Sequence, residues 1–136
     1  MRLLLCSIVA LVGWGQGFIP EKATIADLLK EGTKWDKKEV AVIGYVTEFK
    51  QKTSRKGNDY FTFKLVDKLE GKAEFISVYG QGKLSPAPID KAHAVVSGVF
   101  AKEKSVGDQT FRNEVDVTPR GDKKFGVKVL KKIEGN

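Results

Sequence analysis

The chain of 136 residues carries 24 lysines and arginines against 17 aspartates and glutamates, and 41% of its residues are hydrophobic. This length and composition predict one folded, soluble domain that needs neither metals nor disulfides to build its core. The excess positive charge suits a polyanionic partner such as nucleic acid or an anionic membrane surface, although it is also common in exported proteins that only need to stay soluble.

The first residues predict a cleavable secretory signal peptide. Arg2 supplies a positive charge, an apolar run extends from Leu3 to Val12, and small residues follow up to Gly17. Because a spanning helix needs roughly 20 apolar residues, no stable membrane span is expected. We therefore expect a signal peptide over residues 1–17, a mature domain over 18–136, and export to the periplasm or out of the cell. An N-terminal strand or core helix is the alternative.

The only cysteine, Cys6, lies inside this apolar run. Because the mature domain would lack this cysteine, disulfides, thiolate metal sites and cysteine catalysis are excluded. Cleavage also removes Arg2, which lowers the basic residues from 24 to 23 against 17 acidic ones and leaves a formal charge of +6.

A short helix is predicted near the start of the mature domain. Thr24 can cap a helix that extends to Lys30, with Asp27 placed to complete a capping box. Gly32 follows at the usual stop position. We expect this helix to pack across one end of the domain.

From residue 36 onward the periodicity changes from helical to alternating, and five strands are predicted. They cover residues 40–47, 60–66, 73–79, 93–102 and 111–118. Polar loops are predicted at 50–59 and 103–110, and the basic tail from Asp122 onward is either an extra strand or a short helix. Five short strands at close spacing favour a barrel or a sandwich over a parallel α/β fold.

A family resemblance is carried by four alternating segments: VAVIGYV at 40–46, YFTFKLVD at 60–67, FISVYG at 75–80 and AVVSGVF at 94–100. They resemble the OB-fold nucleic-acid-binding family, specifically its anticodon-binding-like branch, over about residues 35–118. The resemblance implies an all-β, five-stranded Greek-key barrel of the OB type with a short N-terminal helix. OB barrels also bind oligosaccharides, proteins and small cofactors, so the fold alone does not name the ligand.

In this family the ligand occupies the outer surface of the second and third strands and the loops after the first and fourth. The resemblance therefore implies a site for single-stranded nucleic acid or another polyanion. On the strands the implied residues are Tyr45, Thr47, Tyr60, Thr62, Lys64, Phe75 and Tyr79, and on the loop after the first strand they are Lys50, Lys52, Arg55 and Lys56.

Two parts of this site depend on open alternatives. Phe75 and Tyr79 can stack on bases if Ile76 and Val78 point inward, which is the register we favour; a slip by one residue would bury them instead. The basic loop suits a phosphate backbone, or it is a solvated hairpin loop whose lysines protect a sheet edge. The loop at 103–110 has balanced charges and is expected to add no net attraction.

Catalysis, a metal site and a cofactor are not expected. His93 is the only histidine, and no cysteine or carboxylate cluster accompanies it at metal-binding spacing. Glu114 and Asp116 share one strand face, which leaves a carboxylate-dependent hydrolase as the enzymatic alternative. The main alternative to nucleic-acid binding is a periplasmic interaction or stress module that binds a protein, a peptide or an envelope component.

Overall fold

The computed structural model describes residues 20–123 and 125–130. The predicted signal peptide over 1–17 lies outside the described residues, so cleavage and export stay predictions. Within the described part of the chain, no helix is long and apolar enough to cross a membrane.

Two short helices precede the main sheet. A two-residue strand, β1 (Glu21–Lys22), leads into α1 (Ile25–Lys30) and α2 (Gly32–Trp35). Thr24 caps α1 as predicted, because its Oγ1 accepts a hydrogen bond from the Asp27 N–H at 3.0 Å and Asp27 Oδ2 accepts one from the Thr24 N–H at 3.1 Å. Helix α1 ends at Lys30 as predicted, with Glu31 at its C-cap, and Gly32 after the cap begins α2.

Six further strands follow. They are β2 (Glu39–Thr53), β3 (Asp59–Val66), β4 (Phe75–Gln81), β5 (His93–Val106), β6 (Gln109–Asp116) and β7 (Gly126–Val129). The sheet order is β1-β2-β3-β4-β6-β5-β7, and β2 also pairs with β5. That extra pairing closes β2, β3, β4, β6 and β5 into a barrel in which β4 and β6 run parallel and the other neighbours antiparallel. The five-stranded Greek-key barrel of the OB type is therefore confirmed.

Strand β2 closes the barrel because it is long enough to pair with two other strands. Its first half pairs with β5 from Glu39 to Tyr45, and its second half pairs with β3 from Tyr45 to Thr53. The register shifts between Thr47 and Lys50, and Glu48 there takes a φ of 55°. Such a bulge increases the local twist and redirects the end of the strand.

The barrel core is built from the inward positions of the alternating strands. The largest fully buried residues on the strands are Val40, Val42, Val46, Leu65, Ile76, Val78, Val96, Phe100 and Val115. Helix residues Ile25, Leu28 and Trp35 join this cluster. Ile76 and Val78 are 0% and 1% exposed whereas Phe75 is 42% exposed, so the favoured register of the third predicted strand is confirmed.

The two predicted polar loops are shorter than expected, because the residues that flank them belong to strands. Residues 50–53 belong to β2, and residues 103–106 and 109–110 belong to a β5–β6 hairpin in which Val106 pairs with Gln109. Gly107 takes a φ of 60°, the left-handed conformation that glycine supplies in a two-residue hairpin turn. The polar composition of both segments is typical of loops, but the paired strands satisfy each other's backbone hydrogen bonds beyond the barrel.

The described part of the C-terminal tail is a strand. Strand β7 pairs antiparallel with β5, placing Val129 opposite Ala94 and Gly126 opposite Ser97. Phe125 is buried just before it, and Lys123 pairs with Glu39 of β2. The alternative of a short helix is therefore wrong for residues 126–129.

Candidate functional site

A groove lies between two hairpin arms that extend beyond the barrel. One arm is formed by the end of β2, the turn at 54–58 and the start of β3, and the other by the end of β5 and the start of β6. The cavity between them is about 530 Å³. It is lined by Lys52, Ser54, Tyr60, Thr62, Tyr79, Gln81, Lys104, Val106, Gln109, Phe111, Glu114 and Asp116. Residues from both arms and from the barrel wall therefore face one space, which we call the groove.

Three aromatic side chains face the groove. Tyr60 of β3 and Tyr79 of β4 lie on neighbouring strands, with ring centroids 5.8 Å apart and planes inclined at 38°. Phe111 comes from the β5–β6 arm and is 38% exposed. Flat rings that are accessible from one cavity form a stacking surface for planar ligands.

Lys104 lies among these rings. Its Nζ is 4.8 Å from the centroid of Tyr79, 6.0 Å from that of Phe111 and 2.5 Å from Glu114 Oε1. The contact with Glu114 is a close ion pair in which the ammonium lies against the buried Oε1. The Lys104 ammonium therefore covers both an aromatic face and a carboxylate.

The two carboxylates on this face of β6 have different surroundings. Asp116 Oδ1 accepts a hydrogen bond from the Thr118 N–H at 2.9 Å, and Oδ2 accepts one from Arg120 Nη2 at 3.3 Å. Glu114 is only 6% exposed, and Lys104 is its ion-pair partner. Asp116 is thus held by its own segment, whereas Glu114 depends on a side chain from the neighbouring strand.

A smaller depression of about 250 Å³ adjoins the groove and shares part of its lining. Lys50 and Lys64 face it together with Thr62 and Glu114. Lys64 Nζ lies 3.3 Å from Glu48 Oε2 and 4.6 Å from the ring centroid of Phe75. The basic surface therefore continues from the groove along β2 and β3.

The structure divides the eleven predicted site residues into separate groups. Lys52, Tyr60, Thr62 and Tyr79 line the groove, Lys50 and Lys64 line the adjoining depression, and Arg55 and Lys56 are exposed at the tip of the β2–β3 arm. Tyr45, Thr47 and Phe75 line neither cavity.

The residues outside the groove have other contacts. Tyr45 stacks on His93 with ring centroids 4.6 Å apart, and Thr47 Oγ1 donates to the Lys64 carbonyl at 3.5 Å. Tyr45 pairs with Val66, six residues along β3 from Tyr60. At about 3.3 Å per residue that separation is roughly 20 Å. Tyr45 and Phe75 therefore belong to the opposite end of the strands from the groove.

The β5–β6 arm contributes residues that were not predicted for the site, because residues 103–110 were predicted as a loop and Phe111 only as the start of a strand. Lys104, Val106, Gln109 and Phe111 all line the groove. The signal was present in the sequence, because a Gly-Asp pair between two alternating segments is typical of a tight hairpin.

A further depression of about 420 Å³ shares no residue with the groove. It is lined mainly by apolar atoms around Ala23, Ala41, Ile43 and Val95. Ile43 is 49% exposed there. Over residues 20–123 and 125–130, no group of three or more histidine, cysteine, aspartate or glutamate residues could hold a metal ion.

The known proteins that this chain resembles are similar to it in structure and not in sequence. No family model matches the sequence, and no curated protein sequence matches it. The structure is similar to that of the Plasmodium falciparum SSB complex with ssDNA, with a TM-score of 0.50 and 16% sequence identity over 68% of this chain and 94% of that chain. It is also similar to a small single-stranded DNA-binding protein from Streptomyces coelicolor, with a TM-score of 0.41 and 17% identity over 60% of this chain and 86% of that chain. At 16% identity the first likeness agrees with the OB fold established by the strand order.

Proposed function

We propose that this protein binds single-stranded nucleic acid in the groove between its two arms. The observation that carries the proposal is the convergence of Tyr60, Tyr79 and Phe111 on one accessible cavity. Unpaired bases stack on such rings, and each stacked base contributes about 1–3 kcal/mol with little dependence on its identity. A groove with several rings therefore suits sequence-tolerant binding of a strand whose bases are free.

The charge around the groove suits the phosphates of the same ligand. Lys50, Lys52, Arg55 and Lys56 are all exposed on the β2–β3 arm. Each phosphate that such a residue neutralises releases condensed counterions, which favours binding at low salt. Bases on the rings and phosphates along this arm form one continuous path for an extended strand.

The comparison supports this proposal by analogy. The Plasmodium falciparum protein that shares the OB fold is an SSB in complex with ssDNA. We extend that ligand to the present chain because the groove offers aromatic and basic side chains together. Export to the periplasm or beyond is a further part of the proposal and rests on the sequence of residues 1–17 alone.

A protein-interaction module is the second candidate, and the apolar depression around Ile43 favours it. Exposed apolar patches are frequent at protein interfaces. In that case the groove would have no role in binding, and substitutions in it would leave the function unchanged.

Paired substitutions in the groove test the proposal. Tyr60→Ala combined with Lys52→Ala removes one ring and one cation from the groove surface, where neither side chain is buried. We expect the affinity for a fluorescent single-stranded oligonucleotide to fall by roughly tenfold or more, since one stacking contact alone is worth about 1–3 kcal/mol. Fluorescence anisotropy measures the affinity, and circular dichroism verifies the fold.

The matched control is Phe75→Ala combined with Lys68→Ala, which removes the same kinds of side chain at the other end of the strands. This variant is expected to keep most of the affinity. Equal affinity of the folded groove variant and the wild-type protein would contradict the proposed site.

A further inference from the structure

The carboxylate of Glu114 is an unexpected group in a groove proposed to hold a polyanion. Its side chain lines both the groove and the adjoining depression, and the residue is 6% exposed. Oε1 is buried, and its partner is the Lys104 ammonium, whose Nζ lies 2.5 Å away. A buried carboxylate that loses such a partner is costly to keep, so a ligand that displaces the ammonium has to supply a hydrogen-bond donor in its place.

Phosphates cannot be that ligand group, because a phosphate near Glu114 would meet a like charge. Neutral bases can supply the donor, since their amino and imino groups donate hydrogen bonds. A strand in the groove is therefore oriented with its bases toward Glu114 and its phosphates toward the lysines of the β2–β3 arm.

Lys104 controls access to this carboxylate. Its ammonium covers Glu114 and also lies over the Tyr79 ring. A base that stacks on the covered face of Tyr79 displaces the ammonium from both contacts. The displaced lysine can contact a phosphate, because its side chain belongs to the arm that borders the groove.

The bases differ in what they offer to a carboxylate. Guanine presents two adjacent donors, N1–H and the N2 amino group, which match the two oxygens of a carboxylate. Cytosine and adenine present one amino group beside an acceptor, and thymine presents a single N–H between two carbonyls. A carboxylate therefore favours guanine most and thymine least.

We propose that Glu114 accepts hydrogen bonds from the edge of a base stacked on Tyr79 and gives the groove a preference for guanine at that one position. This inference rests on the proposed binding of single-stranded nucleic acid and refines it. The rest of the groove stays tolerant of sequence, since stacking does not distinguish the bases strongly.

Three oligonucleotides of equal length test the inference with the purified protein. One contains only thymine, one contains isolated guanines among thymines, and one carries hypoxanthine in place of each guanine, which keeps N1–H but lacks the N2 amino group. For the wild-type protein we expect roughly tenfold tighter binding of the guanine strand than of the thymine strand, with the hypoxanthine strand between them.

Two charge-matched variants separate base recognition from general electrostatics. Glu114→Gln and Asp116→Asn each remove one negative charge from the same strand face, but Asp116 is already engaged by Thr118 and Arg120. Glu114→Gln should bring the three strands to within about twofold of one another, whereas Asp116→Asn should keep the guanine preference.

The outcomes distinguish the two proposals. Equal wild-type binding of all three strands, or a guanine preference that survives in Glu114→Gln, overturns the role of Glu114 while nucleic-acid binding stands. Equal loss of preference in both variants overturns it as well, because charge rather than hydrogen bonding would then be the cause. Binding of none of the strands overturns the proposed function itself.

Discussion

At the level of single residues, the capping box of α1 is a local interaction that depends on the ionisation of one carboxyl. The backbone N–H and the hydroxyl of Thr24 hydrogen-bond to Asp27 and hold the pKa of that carboxyl below its ordinary value. A carboxyl whose pKa is lower in the folded than in the unfolded chain stabilises the fold when it is ionised. Its contribution is complete above the ordinary pKa of about 3.9 and is lost as the pH falls through the lower value of the folded state.

We therefore expect Asp27→Asn to lower the free energy of unfolding at neutral pH, because α1 loses an ionised capping partner. The difference from the wild-type protein should shrink as the pH falls below about 4. Urea denaturation at a series of pH values measures both quantities. The control is Asp90→Asn at an exposed loop position, which should change little at any pH. A destabilisation by Asp27→Asn that is the same at all pH values would contradict the assignment.

The alternation of residues predicted which side chains face outward on the barrel strands better than it did on the arms. Alternation placed Tyr60 and Tyr79 on the outer face correctly, since Phe61 and Val78 beside them fill the core. It could not place Phe111, which lies four residues before the buried Val115 on the same strand. Asn113 takes a φ of 52° between these two residues, and the positions that line the groove change from Gln109 and Phe111 before it to Glu114 and Asp116 after it. Simple alternation along β6 therefore does not predict the face of Phe111.

At the level of the elements, the closure of β5 against β6 depends on a close approach at Gly98. A Cβ atom added there would lie 2.1 Å from the backbone oxygen of Asp116 and 2.9 Å from Cα of Val117. Because both neighbours are backbone atoms, they cannot move aside without separating the strands. The pairing of β5 with the end of β6 therefore requires glycine at this position.

We expect Gly98→Ala to destabilise the protein by about 3 kcal/mol, the upper range for overpacking a core, or to prevent folding. Thermal and urea denaturation measure the loss. Gly32→Ala is the matched control, since its nearest neighbours are side-chain carbons of Lys102 at 3.2 to 3.6 Å, which can shift. Alanine also favours a helix over glycine by up to about 1 kcal/mol, so this control should stay near wild-type stability. A Gly98→Ala variant with unchanged stability would contradict the close approach.

Sequence analysis predicted the number and order of the barrel strands but not the lengths of three of them. Residues 50–53 and 103–110 have the polar composition of loops, and strand lengths there are set by backbone pairing within each arm rather than by burial. Lys104, Val106 and Gln109 of the groove were missed for the same reason, because a segment predicted as a loop has no definite face.

At the level of the whole molecule, the barrel places both arms around the groove, and charges of opposite sign lie on different sides of it. The formal net charge is +7 for the full sequence. The β2–β3 arm presents exposed cations, whereas Glu114 and Asp116 lie across the groove on β6. Composition indicated a polyanionic partner, and the proposal that phosphates and bases meet different sides of the groove rests on the arrangement of the strands.

The central claim is that binding combines base stacking with phosphate contacts. A salt titration of a fluorescent single-stranded oligonucleotide bound to the purified protein, with heparin as a polyanion that has no bases, tests it most directly. We predict that affinity falls with salt but persists near physiological ionic strength and exceeds the affinity for heparin, because stacking does not depend on counterion release. Binding that disappears at modest salt, or that heparin matches, would mean that charge alone attracts the strand and would contradict the proposed role of Tyr60, Tyr79 and Phe111.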